Sequence, residues 1–343
     1  MKKMLFVLGV ATAAMTSCSN DEVVEMNQSS LIQFETFVNK GTRAVTDVTN
    51  PTINDGIHES GLNKFFVYGY RMNDGNRTNV FDGIPVTWAN KDGNEGNKWT
   101  YNNGNHTPWT GGNYYFAAYA SENNADEALN NTVTFTEGAL KIVSYEVKDA
   151  QDLVAAWANV DFNSIVNHTV SLNFKHMLSK VYFEITNGDT ENLNMTISDI
   201  TINVNPSGDC TYDGTDITWN NLATSSDLTF NGTGTYSKDE TNTYISKDNK
   251  FTSTDHLVIP GQNITENQTA AVTASFTVNF YNQAGLLMYT KECNDISLDI
   301  EDGWKPGLIY KYTTTVTATM PTIEFGVSVT GWPNDDTDTP INN

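Results

Sequence analysis

Hydrophobic and polar residues alternate with a period of two along most of this chain. In VTASFTVNFY (272–281), Val, Ala and Phe occupy every second position, and Thr, Ser and Asn lie between them. The same alternation occurs in KVYFEIT (180–186), DITINVN (199–205), IYKYTTTVTA (309–318) and IEFGVSV (323–329). Because these runs are rich in β-branched and aromatic residues, the pattern predicts half-buried strands.

Long amphipathic helices are not predicted anywhere in the chain. Residues 121–131 allow one or two helical turns, and residues 148–158 fit a short helix or a strand equally well. The chain is therefore predicted to be all-β, with its strands spaced as in β-sandwiches. A composition shift in NVDFNSIVNHT (159–169) indicates a boundary between two domains, 44–165 and 166–343.

The N-terminus has the layout of an export signal. Two lysines precede an apolar run that is too short to span a bilayer, and residues 1–17 are predicted to be a signal peptide. Small residues lead into Cys18, an arrangement that resembles the lipobox of bacterial lipoproteins. Lipid on Cys18 would hold the protein on a membrane surface, and the residues 19–22 resemble a tag for the outer face of the outer membrane. The alternative is an ordinary signal peptide followed by an incidental cysteine.

A second N-terminal feature is a strand-like segment followed by an isolated arginine. In LIQFETFV (31–38), Ile32, Phe34, Thr36 and Val38 share one face, and Arg43 follows five residues later. If this segment packs as a strand in the body of the protein, a cut after Arg43 would expose a groove. The alternative is an arginine with no special role in a linker.

Composition limits the possible partners. The chain has 19 basic and 41 acidic residues and a net charge of −22, which argues against nucleic acid and fits a solvated, extracellular surface. Besides Cys18, the cysteines are Cys210 and Cys293, which either pair in an oxidising compartment or stay buried as free thiols.

No catalytic constellation is visible in the sequence. The five histidines form no pair at metal-ligand spacing, and no G-x-S-x-G motif or phosphate-binding glycine loop occurs. His176, in NFKHMLSK, is interpreted as a structural, hydrogen-bonded residue. We therefore predict neither catalytic nor metal-binding residues, nor a cofactor, and do not expect the protein to be an enzyme.

Taken together, these residues resemble the fimbrillin family, the type V pilins of Gram-negative anaerobes. The resemblance covers essentially the whole chain, including the lipobox at Cys18 and the arginine in TRA. It extends to the segments 99–120, 151–156, 170–185, 257–262 and 304–316.

The resemblance implies two tandem transthyretin-like β-sandwich domains and a role in cell adhesion. It also implies a lipidated precursor whose Arg43–Ala44 bond is cut by an arginine-specific protease, which removes the strand 31–38. A strand from a neighbouring pilin subunit would then fill the groove, and Ile323, Phe325, Val327 and Val329 are the donor candidates. The polar, acidic tail after Trp332 departs from this pattern, since it does not resemble a segment that could fill an apolar groove.

Two alternatives stay open at this stage. The chain also resembles anchor subunits, which keep their lipid, and tip subunits. A different possibility is a surface lipoprotein that binds glycans through Trp88, Trp99 and Trp109, because exposed indole faces stack on sugar rings. If these rings instead fill a core or clamp a hairpin, they will be buried.

Overall fold

The computed structural model describes residues 31–38, 62–89, 98–121, 129, 132–148, 151–164, 169–191, 193–233, 236–239, 242–261, 272–298, 300 and 303–332. Twenty-four strands lie in these ranges: β1 Gln33–Val38, β2 Lys64–Asn73, β3 Asn76–Ala89, β4 Lys98–Thr100, β5 Asn113–Ser121, β6 Val133–Thr136, β7 Ala139–Glu146, β8 Leu153–Asp161, β9 Thr169–His176, β10 Ser179–Asn187, β11 Asn194–Ile197, β12 Ile200–Val204, β13 Ser207–Tyr212, β14 Ile217–Asn220, β15 Ser226–Phe230, β16 Gly232–Thr233, β17 Tyr236–Asp239, β18 Asn242–Tyr244, β19 Lys250–Ser253, β20 His256–Val258, β21 Thr273–Tyr281, β22 Leu287–Ser297, β23 Leu308–Val316 and β24 Gly326–Gly331.

The predicted all-β class is confirmed. The helical structure in the described ranges consists of one 3-10 turn, Asn102–Gly104, and no helix there is long and apolar enough to cross a bilayer. Local turn chemistry supports the strand pairing: Asp74 and Gly75 both have positive φ, 49° and 77°, in the two-residue turn that joins β2 to β3. This backbone twist matches that of the flanking strands, which makes Asp-Gly a favoured hairpin turn.

Two sheets form one half of the structure. A seven-stranded sheet runs in the order β1-β9-β8-β5-β2-β3-β4, and a four-stranded sheet in the order β14-β13-β7-β6. Neighbouring residues of one strand enter different cores, as the alternation requires: Phe65 of β2 lies in a cluster with Phe34 and Phe174, while Phe66 lies in a cluster with Ile142 of the four-stranded sheet.

The other half also consists mainly of two sheets. One contains β16-β19-β10-β23-β24 with β20 beside β10, and the other contains β11-β21-β12-β15 with β22 beside β21. A small pair, β17-β18, completes the set. Phe183 of β10 and Phe276 of β21 are among the buried residues of the cluster that these sheets share.

The structure resolves the ambiguous and approximate strand predictions. The segment 148–158, which fitted helix or strand, contributes to strand β8, and the strand expected at 323–329 begins at Gly326 and ends at Gly331. Most of 121–131 lies outside the described residues. Three strands after the predicted boundary at 165, namely β9, β13 and β14, belong to sheets with earlier strands. The division into two domains stays a prediction.

Candidate functional site

Strand β1 lies at one edge of the seven-stranded sheet. It runs parallel to β9, with Gln33 opposite Thr169 and Val38 opposite Phe174, and β9 is the one described strand that pairs with it. Because β1 contributes to a single ladder, its departure would break no other strand pairing. It would leave the backbone groups of β9 unpaired along this edge.

The side chains of β1 alternate between core and solvent as the sequence predicts. Ile32 is 0% exposed, Phe34 6% and Thr36 2%, whereas Glu35 between them is exposed. The inward face of β1 is therefore buried as completely as that of a strand in the middle of a sheet. This strand is therefore an integral part of the core in the uncut chain, although it lies at the sheet edge.

Phe34 occupies an aromatic pocket. Its ring centroid lies 5.9 Å from Phe65, 5.6 Å from Phe81, 5.7 Å from Tyr101 and 6.0 Å from Phe116, and each pair has an edge-to-face geometry. Edge-to-face contacts place the positive edge of one ring against the negative face of another. All four pocket residues follow residue 43, so the pocket belongs entirely to the part of the chain that a cut after Arg43 would retain.

Tyr101 fixes the start of this segment through its hydroxyl group. The hydroxyl donates to the Ile32 carbonyl oxygen at 2.9 Å and accepts from the Thr107 backbone N–H at 3.0 Å. The Ile32 N–H in turn donates to the Thr107 carbonyl oxygen at 2.8 Å. Burial raises the pKa of Tyr101 to about 12. The phenol therefore stays protonated, and able to donate, well above the pH at which an exposed tyrosine ionises.

We expect Tyr101→Phe to lower the free energy of unfolding by about 1–3 kcal/mol, because it leaves the buried Ile32 carbonyl without this donor. The difference from the unsubstituted chain should shrink as pH rises from about 10 to about 12. Over that range Tyr101 ionises in the unfolded chain before it does so in the folded chain. The free energy of unfolding of the unsubstituted chain therefore falls as pH rises. Urea unfolding of both chains at about pH 8 and about pH 11 measures this; a constant difference would contradict it.

The donor candidates lie before and within β24, where they pack in their own subunit. Ile323 is buried, and the half-buried Phe325 ring lies 5.4 Å from Phe183 and 6.1 Å from Phe276. Val329 packs against the same core, but Val327 is 39% exposed. No residue of β24 itself is fully buried. The strand is therefore held less firmly by its own side chains than its neighbours in the sheet.

Trp332, the residue after β24, packs on a buried histidine at the end of β9. Its ring stacks on His176, with 4.3 Å between centroids and 6° between planes, and Lys180 Nζ lies 4.8 Å from its centroid. His176 ends β9 and bonds through Nδ1 to Asp152 Oδ2; both residues are buried. The Trp332 N–H donates to the Gly307 carbonyl oxygen at 3.1 Å. The end of β24 is thus fixed to the end of the strand that pairs with β1.

We expect Trp332→Ala to accelerate hydrogen exchange of the β24 amides at least about tenfold, because the indole anchors an otherwise weakly buried edge strand. Hydrogen–deuterium exchange with mass spectrometry measures this in the intact chain. Trp88→Ala is the matched control, since Trp88 is a half-buried indole of β3 that packs on Trp99. Equal acceleration of all peptides in Trp332→Ala would contradict a local anchoring role.

Several predicted site residues lie outside the described residues. These are Cys18, Arg43 and Ala44, and the side chain of Val38 is likewise not described. Lipidation and cleavage therefore stay predictions. The structure brings Ile32 and Phe34 together in one core, whereas Ile323 and Phe325 lie in another.

The tryptophans proposed for glycan binding are largely internal. Trp99 and Trp109 are buried, with Trp99 packed on Phe65 at 4.9 Å and Trp109 on Tyr114 at 4.7 Å. Trp88 is partly buried and lies opposite Trp99 in the ladder between β3 and β4. This arrangement favours the hairpin and core interpretation over an exposed platform for sugars.

The two remaining cysteines are free and buried. Burial raises the pKa of the Cys210 thiol to about 12 and that of the Cys293 thiol to about 11. Both therefore stay protonated and poorly reactive near neutral pH. Cys210 lies in β13 and Cys293 in β22, in different sheets.

Three site residues were missed by sequence reasoning: Tyr101, Asp152 and Trp332. The alternation predicts which side chains point inward, but it does not predict which distant strand they meet. Only the glycan-binding hypothesis for Trp99 and Trp109, which lie on either side of Tyr101, and the structural interpretation of His176 pointed to these regions. Within the described ranges, no group of three His, Cys, Asp or Glu side chains has the arrangement of a metal site.

Comparisons with known proteins agree with this architecture. A sequence model of a family described as fimbrillin-like matches residues 42–332. A fimbrial protein from Bacteroides vulgatus is similar in structure, with a TM-score of 0.59 and 17% identity, over 88% of this chain and 99% of that chain. No curated protein matches the chain.

Two further solved structures are more distant. A candidate cell adhesion protein from Bacteroides uniformis has a TM-score of 0.46 and 15% identity, over 90% of this chain and 100% of that chain. The fimbrial anchor protein Mfa2 from Porphyromonas gingivalis has a TM-score of 0.34 and 12% identity, over 88% of this chain and 97% of that chain.

Proposed function

The chain belongs to the fimbrillin-like family, and from this premise we propose that it is a structural subunit of a type V pilus. The family supports a pilus-related role at the cell surface. The more specific proposal has three parts: export as a lipoprotein on Cys18, a cut after Arg43 that frees the subunit from its lipid, and assembly by strand exchange. Its partners are further pilin subunits, and its biological role is cell adhesion.

The observation that carries the proposal is the position of β1. This strand fills the core with Ile32, Phe34 and Thr36, yet it pairs with β9 alone among the described strands and precedes Arg43 in the chain. The described residues that hold it, including the aromatic pocket and Tyr101, all follow Arg43 in the chain. A cut after Arg43 would therefore free β1 to dissociate, while the residues that form its groove stay together in the retained chain.

The emptied groove would favour binding of a replacement strand. Val170, Leu172 and Phe174 of β9 are fully buried in the uncut chain, as are Phe65 and Phe116. Loss of β1 would uncover this apolar surface next to an unpaired strand edge, which is unfavourable in water. A strand from another subunit restores both the backbone ladder and the burial.

Repeated strand donation produces a filament. Because each subunit would donate a segment near its C-terminus and accept one at β9, the contact is head-to-tail and need not close. Growth can then continue subunit by subunit away from the membrane. A subunit that keeps its N-terminal strand can donate but cannot accept, which is the behaviour expected of an anchor.

The test is intact mass and N-terminal sequencing of protein sheared from cells, compared with protein left in the membrane. We expect polymeric material that begins at Ala44, and we expect Arg43→Ala to leave the protein monomeric on its lipid. Lys40→Ala is the matched control, since it removes a nearby cation without touching the proposed bond. If all material begins at lipidated Cys18 and stays monomeric, the cleavage proposal is wrong and an anchor role is the better account.

A further inference from the structure

The hairpin between β21 and β22 carries four consecutive apolar side chains that the fold leaves in water. These are Leu286 at 64% exposed, Leu287 at 49%, Met288 at 45% and Tyr289 at 44%. We call these four residues the hairpin patch. The other exposed large apolar side chain in the described part of the chain, Val327, lies in a different sheet. Single exposed apolar residues are ordinary, whereas a contiguous group of them usually marks a contact surface.

The hairpin patch forms a ridge rather than a flat face. Leu287 lies opposite Tyr281 and Tyr289 lies opposite Phe280, so Met288 is an extra, bulged residue between them. Directly opposite residues share a face of a sheet, and the neighbours Phe280 and Tyr281 of β21 point to opposite faces. Leu287 and Tyr289 therefore lie on opposite faces of the sheet edge. A partner that buries the whole patch must surround this end of the hairpin.

The turn of this hairpin satisfies its own backbone polar groups. The Asn282 side-chain oxygen accepts from the backbone N–H groups of Ala284 and Leu286, at 3.0 Å each. The Asn282 N–H donates to the Leu286 carbonyl oxygen at 3.0 Å, and the Gly285 N–H donates to the Asn282 carbonyl oxygen at 2.9 Å. Backbone groups that enter an apolar medium need partners within the protein. These four bonds therefore allow the turn to leave water without losing hydrogen bonds.

The edge of β22 is poorly suited to pairing with a further strand. Besides the bulge at Met288, the ladder shifts register again between Cys293 and Ile296, where Asp295 has a φ of 54°. Bulges twist an edge strand and interrupt the row of backbone groups with which another strand would pair. An extended peptide or a strand of a second copy therefore cannot add regularly along β22. The hairpin patch must be buried through its side chains.

Charge decides which kind of apolar surface suits the hairpin patch. The chain has a net charge of −22, and the nearest charged residues of β22, Lys291 and Glu292, have opposite signs. Lys291 Nζ also donates to the Met320 carbonyl oxygen at 2.5 Å. Segments that bind anionic lipids carry clusters of Lys and Arg, which this hairpin lacks. An anionic bilayer would repel the chain, whereas a bilayer of zwitterionic lipids would not.

We propose that the hairpin patch inserts into the surface of a bilayer of zwitterionic phospholipids. Lipid surrounds an inserted ridge, so it buries both faces of the hairpin end together, and Tyr289 suits the boundary because its ring is apolar and its hydroxyl group can stay in water. One such insertion binds more weakly than a fatty acyl chain does. Many copies bind together through avidity, which rests on the proposed polymer, whereas the insertion itself does not. The contact provides adhesion to a membrane without a protein receptor.

Flotation with phosphatidylcholine vesicles tests the insertion on uncut chains that lack the predicted signal peptide and carry Cys18→Ser, so that no lipid is attached. We expect these chains to bind, and the added pair Leu286→Ser and Leu287→Ser to lower the partition coefficient at least about tenfold through lost apolar burial. Glu292→Ser is the matched control, since Glu292 is an exposed residue of the same strand, and it should bind normally. Adding phosphatidylglycerol to the vesicles should weaken binding, and salt should restore it.

An environment-sensitive fluorophore locates the contact in the same chains. Attached at Met288→Cys, its emission should move to shorter wavelength with vesicles, and at Asn294→Cys, an exposed position of β22, it should not. Cys210 and Cys293 are buried and do not compete for the label. Absence of binding, equal binding of the double serine variant, or stronger binding to anionic vesicles overturns the proposal. Self-association without lipid that the double serine variant loses would assign the patch to a contact between copies instead. None of these outcomes bears on cleavage or strand exchange.

Discussion

Phe34→Ala will lower the free energy of unfolding of the uncut subunit by about 3–5 kcal/mol, the usual cost of removing a buried phenylalanine ring. Phe34 is 6% exposed and contacts four aromatic rings, so the neighbouring groups cannot collapse easily into the space that it leaves. Chemical denaturation of the purified, uncut chain measures this loss through the midpoint and slope of unfolding.

The control for Phe34→Ala is Glu35→Ala, which changes the adjacent, exposed residue of the same strand. We expect this substitution to change the free energy of unfolding by about 0.5 kcal/mol or less, as is usual for surface positions.

The assembled polymer supplies a second comparison for Phe34→Ala. Because β1 is absent after the proposed cut, Phe34→Ala should leave the stability of the polymer unchanged. A polymer weakened as much as the precursor would show that β1 is retained during assembly.

Val327→Asp will reduce assembly on the order of 100-fold while leaving the folded subunit nearly intact, because burying an unpaired carboxylate costs several kcal/mol. In the subunit, Val327 is 39% exposed on an edge strand, so the substitution should cost about 1 kcal/mol or less there. In the proposed polymer the same side chain, as part of the donor strand, would enter the groove that β1 leaves, where Thr36 is 2% exposed in the uncut chain. Assembly rates of cut protein, followed by light scattering, measure the difference.

Val327→Thr is the matched control for this prediction. Threonine has nearly the same shape as valine and carries no charge, so assembly should persist and slow only modestly through the loss of apolar burial. Stability of the uncut chains separates assembly defects from folding defects, since both variants should unfold near the midpoint of the unsubstituted chain. Normal assembly of Val327→Asp would show that position 327 stays in water in the polymer.

The alternation of side chains determined much of this structure because it reflects a local property of the chain. Successive side chains of a strand point to opposite faces, so IQFETFV and KVYFEIT predict both a strand and the residues that it buries without any partner being known. For the same reason the apolar residues of 32–36 were predicted correctly as inward-facing. The segment 148–158 shows the limit of this reasoning, since a short apolar run suits a helix or a strand until its neighbours in a sheet are known.

Which strands meet was decided only by the tertiary structure, because pairing depends on residues that are far apart in the chain. Nothing in LIQFETFV specifies that it runs parallel to β9, or that the rings of Phe65, Phe81, Tyr101 and Phe116 converge on Phe34. The contact of Trp332 with His176, which links the end of the donor segment to the end of β9, is of the same kind. The sequence by itself determined that the alternating runs form strands and which of their side chains share a face, whereas long-range packing determined strand limits, actual burial, the groove and what holds each strand in place.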